Sequence, residues 1–181
     1  MKTVLLKALT LFALIHSLAV YADDGAVYNL RVTGTIISES CEVDTSSQEQ
    51  SVSLGEFDSS DFPSVGATSA WVPFNITLKN CSKAINGTKI WFSGLADTDN
   101  PNLLALSDTG RGTESTLATG LGVEIMDASQ AIVPINNTES STYPLQTGDN
   151  ELTFNLRYKS TRQDVTPGDA TAVMYFDLLY Q

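Results

Sequence analysis

The side chains able to carry out chemistry in this sequence are few. The only histidine, His16, lies within the first 22 residues, so any product that loses this segment contains no imidazole. A catalytic triad or a histidine metal site is then excluded. Carboxylates are plentiful, but no pattern pairs two of them, and the Asp- and Asn-rich stretch at 97–102 lacks the glycine and distal glutamate of an EF-hand calcium loop. The sequence therefore predicts no enzyme and no catalytic, cofactor-binding or metal-binding residues.

Residues 1–22 have the character of a cleaved export signal. Lys2 and Lys7 precede an apolar run from Ala8 to Val20, and small or branched residues complete the segment. The run is too short to span a bilayer, and no other apolar run approaches twenty residues. We therefore expect export, a mature chain that begins near Asp23, and no direct insertion into a membrane.

The length and charge of the remaining chain limit its class. Without residues 1–22 it is long enough for one domain with a sizeable core and too short for two comfortable ones. The full sequence has 21 acidic and 10 basic residues, a formal net charge of −11, and loses two lysines with the signal. Such an acidic surface repels phosphate groups, which argues against nucleic acid or an anionic membrane as a partner.

Cys41 and Cys81 are the only cysteines. An even pair in an exported chain predicts one disulfide. Closing a loop of about 40 residues contributes about 4 kcal/mol in the chain-entropy model. A metal pair or a nucleophilic thiol would lack a histidine partner, so both alternatives are set aside.

The segments around these cysteines alternate between apolar and polar residues. Residues 71–79 and 151–159 do so over their whole length, and shorter β patterns occupy 51–55, 88–93 and 121–126. Successive side chains of a strand point to opposite faces, so this period of two predicts strands with one apolar face each. The clearest case is YNLRVTGTI at 28–36, whose apolar face consists of Tyr28, Leu30, Val32, Gly34 and Ile36. No stretch has a sustained helical period, although residues 102–107 could form one short turn.

The last predicted strand, ATAVMYFDLLYQ at 170–181, keeps its apolar face to the penultimate residue; this face consists of Ala172, Met174, Phe176, Leu178 and Tyr180. After the opening segment the principal predicted strands number six, at about 35–44, 71–79, 88–93, 121–126, 151–159 and 170–181. A minimal immunoglobulin-type sandwich has seven, and the strand that is lacking here is its last. Its loss would leave an open groove and a bare sheet edge, which is a liability for a solitary domain.

Further motifs run through the whole chain after the export signal. Gly34 lies seven residues before Cys41, Gly168 is fourteenth from the C-terminus, and Tyr180 is penultimate. The longer motifs are GATSAWVPFNITLKNC at 66–81, FSGLADTDNPNLLAL at 92–106, GLGVEIMD at 120–127 and TPGDATAVMYFDLLYQ at 166–181. In combination they resemble the pilins of the chaperone-usher class, close to the structural subunits of type 1 fimbriae.

The resemblance implies an all-β fold, an incomplete immunoglobulin-like sandwich that lacks its last strand and is completed in trans by donor-strand exchange. It divides the chain into a signal peptide at 1–22, an N-terminal donor-strand extension at 23–36 and a pilin domain at 37–181. The apolar face of 28–36 would fill the groove of a neighbouring subunit, with Gly34 where no side chain fits. The final strand would form the groove and contact the chaperone. The residues expected to do so are Gly168, Ala172, Met174, Phe176, Leu178, Tyr180 and Gln181.

The partners that the resemblance implies are a periplasmic chaperone, an outer-membrane usher and neighbouring pilin subunits. The product would be a fimbria at the cell surface that contributes to cell adhesion. A rod subunit and a tip adaptor remain alternatives, since VSLGEF at 52–57 is rod-like and VPF at 72–74 resembles adaptors. A secreted carbohydrate-binding β-sandwich that uses Trp71 and Trp91 is a further alternative, although strand tryptophans more often pack in the sheet.

Overall fold

The computed structural model describes Thr33, residues 40–107 and residues 117–181. The export signal and the apolar face of the expected donor strand (Tyr28, Leu30, Val32, Gly34 and Ile36) lie outside the described residues. Within them, no helix is long and apolar enough to cross a membrane.

Eight strands form two antiparallel sheets in the described part of the chain. The strands are β1 (Glu42–Val43), β2 (Val72–Cys81), β3 (Gly87–Gly94), β4 (Leu104–Ala105), β5 (Leu121–Asp127), β6 (Thr142–Pro144), β7 (Gly148–Ser160) and β8 (Met174–Tyr180). The five-stranded sheet has the order β1-β2-β7-β5-β4, and the three-stranded sheet has the order β6-β3-β8. A four-residue helix, α1 (Thr45–Gln48), and a 3-10 turn (Ser59–Asp61) lie between β1 and β2.

The all-β prediction is confirmed, and five of the predicted strands appear as β2, β3, β5, β7 and β8. The predicted strand at 35–44 is seen only as β1, because residues 34–39 lie outside the described part. The β pattern at 51–55 predicts a strand, but these residues form none in the structure, so this prediction is wrong. The turn proposed for 102–107 is confined to its first residues, and β4 follows it.

The core lies between the two sheets and is built by the alternation of the long strands. Phe74, Ile76 and Leu78 of β2 are buried, as are Ile90 and Phe92 of β3. Each such side chain contributes about 1.5–3 kcal/mol when fully buried. Three rings meet at the centre, with centroid distances of 5.0–6.1 Å between them: Phe74, Phe92 and Phe154.

The predicted disulfide between Cys41 and Cys81 is present. It joins the residue before β1 to the last residue of β2, next to the register pairs Glu42 with Lys79 and Val43 with Leu78. Since β1 has only two residues, the covalent bond supplements a short ladder at the edge of the five-stranded sheet.

Candidate functional site

One edge of the small sheet is free of any described partner. Strand β8 pairs with β3 along its whole length, from Met174 opposite Gly94 to Tyr180 opposite Thr88. No other described residue pairs with the opposite edge of β8. A row of N–H and C=O groups on a free edge is a template for pairing with another chain.

The face that β8 turns toward the core is apolar and only half-buried. Met174, Phe176, Leu178 and Tyr180 pack against the core but keep part of their surface exposed, as does Ala172 just before the strand. By contrast, Ile90 and Phe92 on the neighbouring strand β3 have no exposed surface. The side of the core next to β8 is therefore uncovered among the described residues.

The segment at 51–57 forms a second uncovered edge. Val52 and Leu54 pack half-buried against the same core, while Ser51 and Ser53 between them are exposed. The backbone of this segment makes no hydrogen bond to another described residue. It alternates in burial as a strand does, but it lacks the partner that would make it one. The β pattern at 51–55 in the sequence falls on this segment, but it does not show that the segment lies on the uncovered side of the core.

Two tyrosine hydroxyls hold β8 to the larger sheet at its two ends. The Tyr180 hydroxyl donates to the Cys41 carbonyl at 3.3 Å, and the Tyr158 hydroxyl donates to the Ala170 carbonyl at 2.5 Å. Burial raises the pKa of both phenols, so both stay protonated donors at neutral pH. Because Cys41 immediately precedes β1, the free edges of β1 and β8 lie on the same side of the sandwich.

The opposite side of the sandwich is closed. The Ala105 amide of β4 donates to the Leu95 carbonyl at 2.7 Å, and the Asp97 amide donates to the Leu103 carbonyl at 2.9 Å. A Cβ atom on Gly94 would collide with the Leu104 side chain, so the end of β3 and β4 are in direct contact. We call the uncovered side of the core, with β8 and residues 51–57 as its unpaired segments, the β8 groove.

An aromatic group lies at the Tyr158 end of the β8 groove. Phe57 packs edge-on against Phe62 and Tyr158, with ring centroids 6.2 Å and 6.0 Å away. Phe62 is buried, whereas 39% of Phe57 is exposed. The sequence analysis did not identify Phe57 and Phe62, because residues 57–67 have no periodic pattern that indicates which side chains face the core.

The chain end is held within its own domain. The Gln181 terminal oxygen accepts hydrogen bonds from the Asn86 and Gly87 amides at 2.8 Å and 3.3 Å, and the Gln181 amide donates to the Gly87 carbonyl at 2.9 Å. The Gln181 oxygen is thus fixed at the Tyr180 end of β8. Gly168, also expected in this region, lies in an exposed bend before β8 rather than within it.

The two buried carboxylates accept hydrogen bonds from neighbouring residues of the domain, which is typical of a structural role rather than a catalytic one. Glu124 accepts hydrogen bonds from Arg157 Nε at 2.7 Å and from Lys159 Nζ at 2.6 Å. Asp127 accepts from the Ser129 and Ala131 amides at 2.9 Å each and closes a turn. Across the described ranges, no group of three acidic, histidine or cysteine residues could hold a metal ion.

Comparison with known proteins agrees with this geometry. Residues 30–181 match the model of the family described as "Fimbrial protein". The chain is 43% identical to the fimbrial-like protein YcbU of Escherichia coli K12 over 84% of each chain. It is 40% identical to the fimbrial subunit type 1 of Salmonella typhimurium over 82% of this chain and 80% of that one. The P pilus rod subunit PapA has the same fold, with a TM-score of 0.65 and 24% identity over 78% of this chain and 99% of that one.

The described residues thus form a small β-sandwich with a free edge at β8 and a half-buried apolar face beside it. The chain belongs to the family described as Fimbrial protein, which confirms the predicted family, and it has the fold of the P pilus rod subunit, which confirms the predicted fold. It is a structural, non-enzymatic fimbrial subunit and is located in the fimbria at the cell surface, in a polymer with other pilin subunits.

Proposed function

We propose that this chain polymerises by donor-strand exchange, in which residues 23–36 of one copy fill the β8 groove of the next. The observation that carries the proposal is the free edge of β8 beside a half-buried apolar face, together with the unpaired segment 51–57, which packs against the same core. A single inserted strand could bond to both edges at once. The segment at 28–36 has the required apolar face, and the opposite face of the same segment is polar.

The energetics favour a stable junction. Tyr28, Leu30, Val32 and Ile36 would each contribute about 1.5–3 kcal/mol on burial, which is on the order of 6–12 kcal/mol for the four. Main-chain hydrogen bonds along both edges add to this, and ordering the donor segment offsets part of the gain. Such a junction persists without any covalent bond between subunits.

The same groove explains why a chaperone is expected before assembly. An exposed apolar floor and a free edge expose a lone subunit to aggregation. In the proposal, a periplasmic chaperone lends a strand along β8 and contacts the Gln181 carboxylate, and exchange takes place at an outer-membrane usher. The carboxylate fixed by Asn86 and Gly87 gives a cationic chaperone side chain a defined target.

Within the fibre we assign this chain to the rod. The support is its similarity to a fimbrial subunit type 1 and to a P pilus rod subunit. The VPF motif, which resembles adaptors, lies in β2 with Phe74 in the core, so it has an ordinary packing role here. Immunogold labelling along the whole shaft is the expected result, and labelling confined to the tip would assign the chain to the adaptors instead.

The donor-strand proposal is tested with the purified complex of chaperone and subunit. A synthetic peptide spanning residues 23–38 should displace the chaperone and give a stable complex of subunit and peptide. The matched control peptide carries Gly34→Arg and should not exchange. Gly34 is expected at a point where the groove leaves no room for a side chain, so an arginine there would prevent insertion. Equal exchange by both peptides would contradict the role given to Gly34, and exchange by neither would contradict the donor role of the segment.

A second prediction concerns the same substitution in the full chain. Gly34→Arg should abolish assembly into fibres but leave the complex with the chaperone intact, since the chaperone supplies its own strand. Fibres are measured by electron microscopy and the complex by its recovery from the periplasm. Normal fibres from the Gly34→Arg chain would refute this part of the proposal.

A further inference from the structure

A polar cavity lies against the segment that connects β5 to β6. It has a volume of about 650 Å³, and it is lined by residues 131–141 together with Asn102, Asp127 and Tyr143. We call it the 131–141 cavity. None of its lining residues belongs to β8 or to residues 51–57, so it is separate from the β8 groove. Its volume lies in the range of sites that bind small molecules.

Hydrogen bonds to both sheets hold the wall of the 131–141 cavity in place. The Val133 amide donates to the Ile125 carbonyl of β5 at 2.9 Å, and the Asn136 amide donates to the Phe92 carbonyl of β3 at 2.8 Å. The segment is therefore anchored on the larger sheet near one end and on the smaller sheet further along. A ligand would meet walls that are already formed, which lowers the entropy that binding must overcome.

The Tyr143 hydroxyl in this cavity is a hydrogen-bond donor without an acceptor among the described residues. The hydroxyls of Tyr158 and Tyr180 each donate to a backbone carbonyl, whereas that of Tyr143 donates to none. Burial, and next the charge of Asp127, raise the pKa of Tyr143 to about 12, so the hydroxyl keeps its proton at neutral pH. The Tyr143 ring packs edge-on against Phe154, with centroids 5.4 Å apart, which fixes where this proton can be donated.

Two acceptors of the lining are unused within the described ranges. Asp127 accepts two backbone amides through Oδ1, while its Oδ2 accepts no hydrogen bond. Asn137 donates through Nδ2 to the Glu139 carbonyl, but its Oδ1 is buried without a partner. A buried polar atom without a partner is destabilising unless a ligand or water satisfies it. The cavity thus presents one fixed donor and two fixed acceptors.

The charges of the lining indicate the class of ligand. Asp127 and Glu139 carry charge, and no lysine, arginine or histidine occurs among the described residues that line the cavity. An anion would be repelled, and the formal net charge of −11 adds to this repulsion. An ammonium group only donates, so it would leave the Tyr143 proton without an acceptor. A sugar hydroxyl both donates and accepts, and the C–H groups of a sugar can pack on Ile132, which is 52% exposed.

We propose that the 131–141 cavity binds a neutral saccharide, whose hydroxyl groups accept from the Tyr143 hydroxyl and donate to Asp127 Oδ2 and Asn137 Oδ1. The inference goes beyond the proposed strand exchange, because it uses neither the β8 groove nor residues 23–36. It also differs from the sugar-binding alternative raised by the sequence, since neither Trp71 nor Trp91 lines this cavity.

The test measures binding to the purified full chain rather than to fibres, because fibres can contain other subunits that bind sugars. The neutral probes are glucose, galactose, mannose, N-acetylglucosamine, maltose and lactose, with glucuronic acid and putrescine as the anionic and cationic probes. Saturation-transfer NMR detects binding, and titration gives Kd.

Two conservative variants are compared with matched controls. Tyr143→Phe removes the unpaired hydroxyl and is paired with Tyr175→Phe, outside the cavity and 67% exposed. Asp127→Asn is paired with Asp97→Asn, because Asp97 Oδ1 likewise accepts two backbone amides but lies outside the cavity.

The expected result is that at least one neutral sugar binds, and that Tyr143→Phe and Asp127→Asn each raise its Kd about tenfold while both controls leave Kd unchanged. Tyr143→Phe should keep its melting temperature, since the hydroxyl has no partner within the described domain, and this separates lost binding from lost folding. Binding of no neutral sugar, or of putrescine or glucuronic acid alone, would overturn the proposal. Equal Kd values for Tyr143→Phe and Tyr175→Phe would also overturn it. Failure of strand exchange would leave these measurements unaffected, so the two proposals fail separately.

Discussion

At the scale of single residues, the buried ion pair of Glu124 shows how this acidic chain keeps a carboxylate inside a sheet. The Glu124 side chain is 1% exposed, and Arg157 and Lys159 contact its two oxygens from the neighbouring strand β7. Arg157 in turn lies over the Trp71 ring, 5.6 Å from the ring centroid. Each charge has an opposite partner, so burial does not leave an uncompensated charge.

This arrangement predicts a specific loss of stability in acid. Burial is the largest single influence on the Glu124 pKa and raises it, but the hydrogen bonds and charges of Lys159 and Arg157 together outweigh it and lower the pKa below 4.5. A lowered pKa in the folded state contributes stability above the unfolded-state value, and this contribution is lost as the pH falls through the folded-state value. We therefore expect Glu124→Gln to be less stable than the unsubstituted protein at pH 7, and the difference to shrink at pH 3.

Urea unfolding of both proteins at the two pH values measures this difference. Glu151→Gln is the control, since Glu151 is an exposed carboxylate on the same strand as Arg157 and Lys159. If the free energies of unfolding of Glu124→Gln and the unsubstituted protein differ as much at pH 3 as at pH 7, packing rather than charge accounts for the effect.

At the scale of elements, β8 has one face for the groove and one for the outside. Phe176 is half-buried against the core, whereas its neighbour Asp177 is exposed. We expect Phe176→Ala to weaken retention of the 23–38 peptide by about 1.5–3 kcal/mol, a tenfold or larger increase in the dissociation rate. The control Asp177→Ala should leave retention nearly unchanged. Release of labelled peptide into an excess of unlabelled peptide measures both, and equal effects would show that the peptide does not contact the inner face.

The sequence predicts the long elements well and the short ones poorly, for a physical reason. A ten-residue strand such as β2 contains enough alternating positions to reveal its period, and its predicted start was wrong by one residue. Strand β4 has two residues and exists because Leu104 and Ala105 pair with β5, a tertiary contact that leaves no periodic trace.

For the candidate site, too, the sequence predicts one part and not the other. The alternation at 170–181 indicated the β8 side of the groove directly. The opposite wall at 51–57 could not be assigned, because alternation shows that a segment has two faces but not which edge it borders. Nor does any local pattern place Phe57 beside Tyr158, since their meeting depends on how the chain between β1 and β2 crosses the core.

At the scale of the whole molecule, the domain must remain folded while one side of its core awaits another chain. The two sheets are held together by buried side chains and by the two tyrosine hydrogen bonds, whereas the disulfide between Cys41 and Cys81 joins β1 to β2 within the larger sheet. The disulfide fixes β1 on the larger sheet, and the Tyr180 hydroxyl reaches the Cys41 carbonyl from β8. Strands β1 and β8 are therefore tied to the same covalent link.

We accordingly predict that the double substitution Cys41→Ser and Cys81→Ser destabilises the lone subunit more than the subunit with its groove filled. The lone domain should lose about 2–5 kcal/mol, the usual effect of removing a native disulfide from a small secreted domain. Binding of the 23–38 peptide to the folded state raises the stability of both proteins by mass action. The loss should be smaller with the groove filled, because the bound strand would itself hold in place the segments around β1 and β8 that the disulfide holds in the lone domain. Calorimetry of both proteins with and without peptide measures this. An identical loss in the two states would mean that the disulfide stabilises the sandwich independently of the groove, because its effect would then not depend on whether a strand lies between β8 and residues 51–57.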